Sequence, residues 1–397
     1  MRYLHITSSA QAENELKKVG VDLPGIDAML PKMENVNLLL EGIECKIANI
    51  LKQEMLSIGG DVAVARGSVS CSIDRTDAII IGTLKQMRRF ADKIAPQPFT
   101  LRDISEDIRK VLDNITRDTF VLKTPKREIV VGGRTLVMGI LNMTPDSFSD
   151  GGMFGSVEDA LKYALEMEEN GADIIDIGGE SSRPGSESVS AGDELDRVIP
   201  LIKKLEGLLS IPISIDTTKA DVARRAIESG AEMVNDISAM RFDAKMPEVI
   251  AGCHVPVVLM HMRGVPETMQ EGDLAYPALM GEITGFLKES MENAQSSGVD
   301  VENIIVDPGI GFGKSTADNI TILRHLRELK TLGRPIMVGT SRKRFIGEIT
   351  GEKLPGDRIA GTAASVAASI MNGADIVRVH DVEFMKRLSG VVDAIKG

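Results

Sequence analysis

Eight short apolar runs in this chain close on polar or charged residues. These are Asn142, Asp176, Asp216, Asn235 with Asp236, His261, Asp307, Ser341 with Lys343, and Arg378 with His380. Carboxylates and carboxamides gathered on one rim can hold a ligand by a donor–acceptor edge, because between them they accept and donate hydrogen bonds. Arg378 and His380 stand two residues apart, on one face of a strand. A single strand-end aspartate caps or ion-pairs; several on one rim point to binding. No His/Cys cluster with metal-ligand spacing accompanies them. Cys45, Cys71 and Cys253 are too far apart in sequence for a disulfide framework, which predicts a reducing cytoplasm.

The elements that must position these residues are legible as an alternation. LVMGILN (136–142), DIIDIGG (173–179), IPISID (211–216), EMVNDIS (232–238), VPVVLMHM (255–262), NIIVDPG (303–309), RPIMVGTS (334–341) and DIVRVHD (375–381) are near-continuously apolar, as parallel strands covered on both faces are. Helical patterns such as 157–170 and 219–230 lie between them, and Gly171, Gly230, Gly298 and Gly373 can supply left-handed helix stops. Eight strand–helix units predict an α/β fold of the (β/α)8 TIM-barrel type, whose chemistry sits at the C-terminal strand ends. A doubly wound open sheet is the competing architecture, but no GxGxxG follows the first strand.

The chain has 397 residues, a net charge of −12 and 43% hydrophobic residues, enough for a large domain and a smaller one. An acidic chain is a poor partner for phosphate backbones, so no nucleic acid is expected. No run is long and apolar enough to span a membrane. Residues 1–122 read as a small α+β domain of unknown role. Its pattern predicts one long amphipathic helix over 36–59, strands in DVAVARGSVSC and DAIIIG, and helices in LKQMRRFADKI and DISEDIRKVLDNI. Residues 123–397 form the barrel, with 123–134 as connector and a short hairpin closing its bottom.

The first βα loop is the most informative segment. Gly139-Ile-Leu-Asn-Met-Thr-Pro-Asp-Ser-Phe-Ser-Asp-Gly-Gly152 passes from a buried strand into a loop crowded with hydrogen-bonding groups around Phe148, more than an ordinary turn needs. It resembles the signature of the dihydropteroate synthase family. Further similar segments follow in family order: Asp176–Gly185, Ser214–Lys219, Val234–Ile237, Leu259–Arg263, Asp307–Lys314, Gly339–Lys343 and Arg378–His380.

The resemblance implies a transferase that joins p-aminobenzoate to 6-hydroxymethyl-7,8-dihydropterin diphosphate, releasing diphosphate and 7,8-dihydropteroate for folate biosynthesis. It places Asp216, Asn235, Ile237, Met260, Asp307 and Lys343 on the pterin. It places Asn142, Arg183, Arg378 and His380 on the diphosphate, with Asn142 also meeting Mg2+. Phe148, Ser182, Pro184, Phe312 and Ser341 would shape the p-aminobenzoate site. Asp150, Arg183 and Lys343 would be catalytic, and the loops 143–153 and 180–189 would close over the reactants. The implied chemistry is dissociative substitution at the pterin methylene carbon, with no protein nucleophile. A homodimer through late barrel helices is implied as well.

Three departures from the family pattern stand out. Ser182 replaces the usual Thr, Asp216-Thr-Thr-Lys219 differs slightly, and Arg344 follows Lys343 where a small hydroxyl is also found. Ser341, a helix N-terminus and Arg344 are thus all candidates for the p-aminobenzoate carboxylate. Two other functions compete: a methyltetrahydrofolate–corrinoid methyltransferase, which has no use for a diphosphate site, and a non-catalytic pterin-binding scaffold acting through residues 1–122.

Overall fold

The computed structural model describes residues 1–396 except 5, 7, 145–155, 182–185, 187, 271 and 273. The chain divides into two compact units, Met1–Thr116 and Arg117–Lys396.

The first unit runs α1 (Ser9–Val19), α2 (Leu23–Met33), β1 (Asn35–Glu44), α3 (Cys45–Leu56), β2 (Asp61–Val64), β3 (Arg75–Thr83), α4 (Leu84–Ile94) and α5 (Leu101–Ile115). Its antiparallel sheet has the order β1-β3-β2. Leu51 and Met55 of α3 pack with Ile80, Phe90, Ile94 and Leu112 in its core. The single helix expected over 36–59 is a strand followed by a helix. Asn35, Asn37 and Glu41 are exposed in alternation with Val36, Leu38 and Leu40, a period of two that β3 completes by pairing. Leu38-Leu39-Leu40 fits either period, and tertiary pairing decides between them. The helices expected at 84–94 and 103–115 are present as α4 and α5.

The second unit opens with a hairpin, β4 (Phe120–Lys123) and β5 (Glu128–Val131). Phe120, Leu122, Ile129 and Val131 are buried against Leu136, Met138, Ile174, Met233, Val258, Ile305, Met337 and Ile376, drawn from seven of the eight barrel strands. Each such side chain contributes roughly 1.5–3 kcal/mol of burial. The Asn303 side chain clasps the hairpin from both sides, accepting from the Lys123 N–H (2.7 Å) and donating to its carbonyl (2.9 Å). The domain boundary drawn at 122/123 therefore moves to 116/117. It cut through β4, whose Phe120 and Leu122 belong to the barrel floor.

The barrel then follows as β6 (Leu136–Asn142), α6 (Val157–Glu169), β7 (Ile174–Gly178), α7 (Ala191–Leu205), β8 (Ile213–Asp216), α8 (Ala220–Glu228), β9 (Met233–Asp236) and α9 (Met246–Cys253). Its second half is β10 (Val257–Met260), α10 (Leu279–Ser296), β11 (Ile304–Asp307), α11 (Thr316–His325), β12 (Met337–Val338), α12 (Arg344–Thr350), α13 (Ile359–Met371), β13 (Ile376–Val379) and α14 (Val382–Lys396). The strands are parallel in the order β11-β10-β9-β8-β7-β6-β13-β12. A parallel bridge between Val306 and Ile336 joins the two ends. This is the expected (β/α)8 barrel. Gly171, Gly230, Gly298 and Gly373 all take positive φ at helix ends, as their placement predicts. No helix among the described residues is long and apolar enough to cross a membrane.

Candidate active site

Four strands contribute to one ionic knot at the C-terminal rim. Arg378 of β13 donates from Nε to Asp176 Oδ2 of β7 and from Nη2 to Asp216 Oδ2 of β8, both at 2.6 Å. Asn235 of β9 donates from Nδ2 to the same Asp176 oxygen at 2.9 Å. Asp176 is fully buried, and its Oδ1 has no hydrogen-bond partner among the described residues. The parallel register explains the convergence. Gly178 pairs Asp216, and Asp216 in turn pairs Asn235, so the strand ends arrive level.

The knot is tuned by burial. Loss of solvent pushes the Asp216 carboxyl up to about 7; Arg378 opposes the shift and Asp176 adds to it. Burial works against the Arg378 charge, yet Asp176 and Asp216 outweigh it and hold its pKa above the ordinary value. On β11, burial raises Asp307, while a 2.6 Å hydrogen bond from the Gly309 N–H and the Lys343 charge pull it back.

Beside the knot lies an apolar wall. Ile237, Met260 and Phe312 form one buried cluster with Met262 and Met269. Asp236 holds Ile237 in place by accepting from the Ser238 N–H and Oγ, both at 2.7 Å, and from the Met240 N–H. Ala239 and Met240 consequently sit at positive φ, a conformation side chains resist. Lys343 N-caps α12. Its ammonium donates to the Ile310 carbonyl (2.6 Å) and stands 4.1 Å over the Phe312 ring. Burial lowers Lys343 to about 8 against the pull of Asp307.

The structure thus joins Arg378 directly to Asp216 and, through Asp176, to Asn235, clusters Ile237, Met260 and Phe312, and sets Lys343 against Phe312. Ser341 Oγ and His380 Nδ1 are 2.9 Å apart, which joins two residues assigned from the sequence to different substrates. Arg344 is exposed and pairs with Glu348 (2.7 Å) on the same helix. Phe148, Asp150, Ser182, Arg183 and Pro184 lie outside the described residues. Sequence reasoning gave Asp176 a place on the rim but no role. Its position inside β7, among Ile174, Ile175 and Ile177, was the available signal, because a carboxylate inside an apolar strand demands partners.

A side chain on Gly178 would begin 3.5 Å from Asn142 Oδ1 and 3.8 Å from Asp216 Oδ2, so both oxygens lie beside this glycine. Among the described residues no group of three His, Cys, Asp or Glu could hold a metal. One amide oxygen with substrate oxygens and water would suit Mg2+, which keeps several waters, better than zinc, which takes Cys and His.

Comparison with known proteins agrees with this geometry. Residues 138–380 match the pterin binding enzyme family. The chain is 53% identical over 264 residues to a dihydropteroate synthase of Synechocystis sp., covering 66% of this chain and 91% of that protein. It is 39% identical over 377 residues to a probable bifunctional folylpolyglutamate synthase/dihydropteroate synthase of Halobacterium salinarum, covering 95% of this chain and 45% of that one. The latter match extends into the first unit. Among solved structures, Xanthomonas albilineans dihydropteroate synthase with 4-aminobenzoic acid superposes with a TM-score of 0.66 at 43% identity, covering 70% of this chain and 99% of that one. Barrel, rim and relatives converge, and the chain belongs to the dihydropteroate synthase family.

Proposed function

We propose a division of labour for the family's reaction, the condensation of 6-hydroxymethyl-7,8-dihydropterin diphosphate with p-aminobenzoate to 7,8-dihydropteroate and diphosphate. The observation that carries it is the knot of Asp176, Asp216, Asn235 and Arg378 beside the Ile237–Met260–Phe312 wall. A pterin is a flat ring with a polar edge. Asp216, Asn235, Asp307 and Lys343 would meet that edge, and the wall would take its face. A site built on such bonds rejects analogues that lack them, since its own groups are left unpaired.

The diphosphate would be held by Arg378 and His380, with Arg183 added from the second loop. Asn142 would meet Mg2+, which when bound draws charge from the departing phosphate oxygens. The chain's cations stabilise the leaving group, and bond breaking at the pterin methylene carbon precedes attack by the aniline nitrogen. No side chain need become covalently attached. Phe148, Ser182, Pro184, Phe312 and Ser341 would hold p-aminobenzoate for attack, and Asp150 and Arg183 would close the site against water.

Two further readings go with this one. Phe384, Val391 and Ile395 are exposed along α14 at helical spacing, which supports a homodimer through that face. Three free cysteines support a cytoplasmic setting. The decisive assay is diphosphate release. It should require both substrates and Mg2+; pterin binding without turnover would instead establish a scaffold.

A further inference from the structure

Four consecutive carbonyls in the loop after β11 each accept a side-chain hydrogen bond. Ile310 accepts from Lys343 Nζ (2.6 Å), Gly311 from Gln270 Nε2 (2.7 Å), Phe312 from Lys314 Nζ (3.0 Å) and Gly313 from the Tyr276 hydroxyl (2.8 Å). The Gly311 N–H donates to Asn319 Oδ1 at 2.7 Å. This loop lies backbone to backbone against the loop after β10. A Cβ on Gly309 would fall 1.9 Å from the His261 carbonyl oxygen, and one on Gly313 would fall 2.6 Å from that of Arg263.

Lys314 sits at the seam, 2% exposed. Its ammonium reaches the Phe312 carbonyl, the His261 carbonyl (3.3 Å) and His261 Nδ1 (2.8 Å). An ammonium has three hydrogens and no lone pair, so three acceptors use it fully. With Lys314 charged, His261 is neutral with its proton on Nε2. Burial first, and the Lys314 charge second, drive its pKa down to about 2, in agreement. Burying an ammonium costs several kcal/mol and lowers the Lys314 pKa to about 7 against the pull of Asp307, while its hydrogens serve two carbonyls and a ring nitrogen. A methionine would fill the same space and leave those acceptors without a donor. What the lysine adds is fixed geometry between two loops, one leading from Met260 and the other carrying Phe312.

We propose that Lys314 is a positioning residue for the condensation: by tying the His261 and Phe312 carbonyls to one ammonium, it sets the spacing of the Met260 and Phe312 side chains that wall the flat substrates. Gln270 and Tyr276 brace the same loop from the β10 side. The inference rests on the proposed occupation of that wall by the two substrates.

The test uses the full-length chain with Mg2+ and compares wild type, Lys314→Met and Tyr276→Phe. KM for each substrate, kcat and the melting temperature are measured. Lost positioning of both wall residues should raise both KM values roughly tenfold in Lys314→Met while kcat stays within about threefold. The melting temperature should fall by a few degrees, because three acceptors lose their donor. Tyr276→Phe removes one hydrogen bond and should raise KM in the same direction by roughly two- to fivefold. A folded Lys314→Met with wild-type KM values overturns the proposal, as does kcat falling alone. Should Lys314→Met fail to fold, Tyr276→Phe decides, and unchanged KM values in it overturn the proposal. Absence of turnover in the wild type would sink the functional reading instead, so the two failures are distinguishable.

Discussion

Asp216 makes the clearest test of the electrostatics, through the substitution Asp216→Asn. Burial holds its carboxyl at about 7 against an ordinary value of 3.8. A carboxyl raised in the folded state favours folding when protonated. Its contribution is therefore fully present below the unfolded pKa and is lost as pH rises through the folded pKa. At pH 5 the wild-type chain has lost part of it, and at pH 8.5 nearly all. Linkage with these two values gives a growing penalty of roughly 2–3 kcal/mol between pH 5 and pH 8.5. Asparagine keeps the shape and cannot ionise, and it gives up only the charge assistance of the 2.6 Å bond from Arg378, since its amide oxygen still accepts. The difference between variant and wild type should thus shift in the variant's favour by roughly 2–3 kcal/mol from pH 5 to pH 8.5, equivalent to about 5–10 °C. The chain has no tryptophan, so calorimetry or circular dichroism is the assay. A difference that stays the same at both pH values would refute the burial argument. Pterin binding by the variant, measured by titration calorimetry, should fall at least thirtyfold, because the charged acceptor is gone.

Arg378→Met strips the counter-ion from two carboxylates and should cost about 3–5 kcal/mol of stability; binding of phosphate-free hydroxymethylpterin should weaken along with that of the diphosphate, whereas a purely phosphate-binding arginine would spare the former. Asp150→Ala or Arg183→Ala should lower turnover while pterin binding survives, and loss of pterin binding in both would contradict their assignment to loop closure. Chelation of Mg2+ should stop diphosphate release, and Asn142→Ala should raise the Mg2+ concentration needed for half-maximal rate. A chain starting at Arg117 should fold and turn over, but one starting at Thr124 should be destabilised by several kcal/mol through loss of Phe120 and Leu122, which thermal melts of the two would reveal.

The barrel was readable because each of its strands is buried on both faces, so apolar runs mark them regardless of partner. Even the two-residue β12 (Met337–Val338) lies inside the expected RPIMVGTS run. In the first unit, β1 carries polar and apolar residues in nearly equal number, and Leu38-Leu39-Leu40 suits a helix or a strand. Only the partner β3, some 40 residues away, settles which. Helices α1 and α2, which the reading of residues 1–122 left unassigned, bury little beyond Ala12 and Ile26: α1 is mostly polar, and α2, though rich in Leu, Ile and Met, leaves Leu23 and Met29 exposed. At the site, rim residues were visible as polar strand endings. What stayed hidden was how they hold one another: Asp176 gripping Arg378 and Asn235, Ser341 beside His380, Arg344 turned to Glu348. Those pairings depend on register between distant strands, which no local pattern encodes.

The interior of a (β/α)8 barrel is filled by side chains rather than hollow, so Phe120 and Leu122 form its lowest layer and keep water from Leu136, Ile174 and Ile376. That leaves the opposite rim as the face on which chemistry can be built.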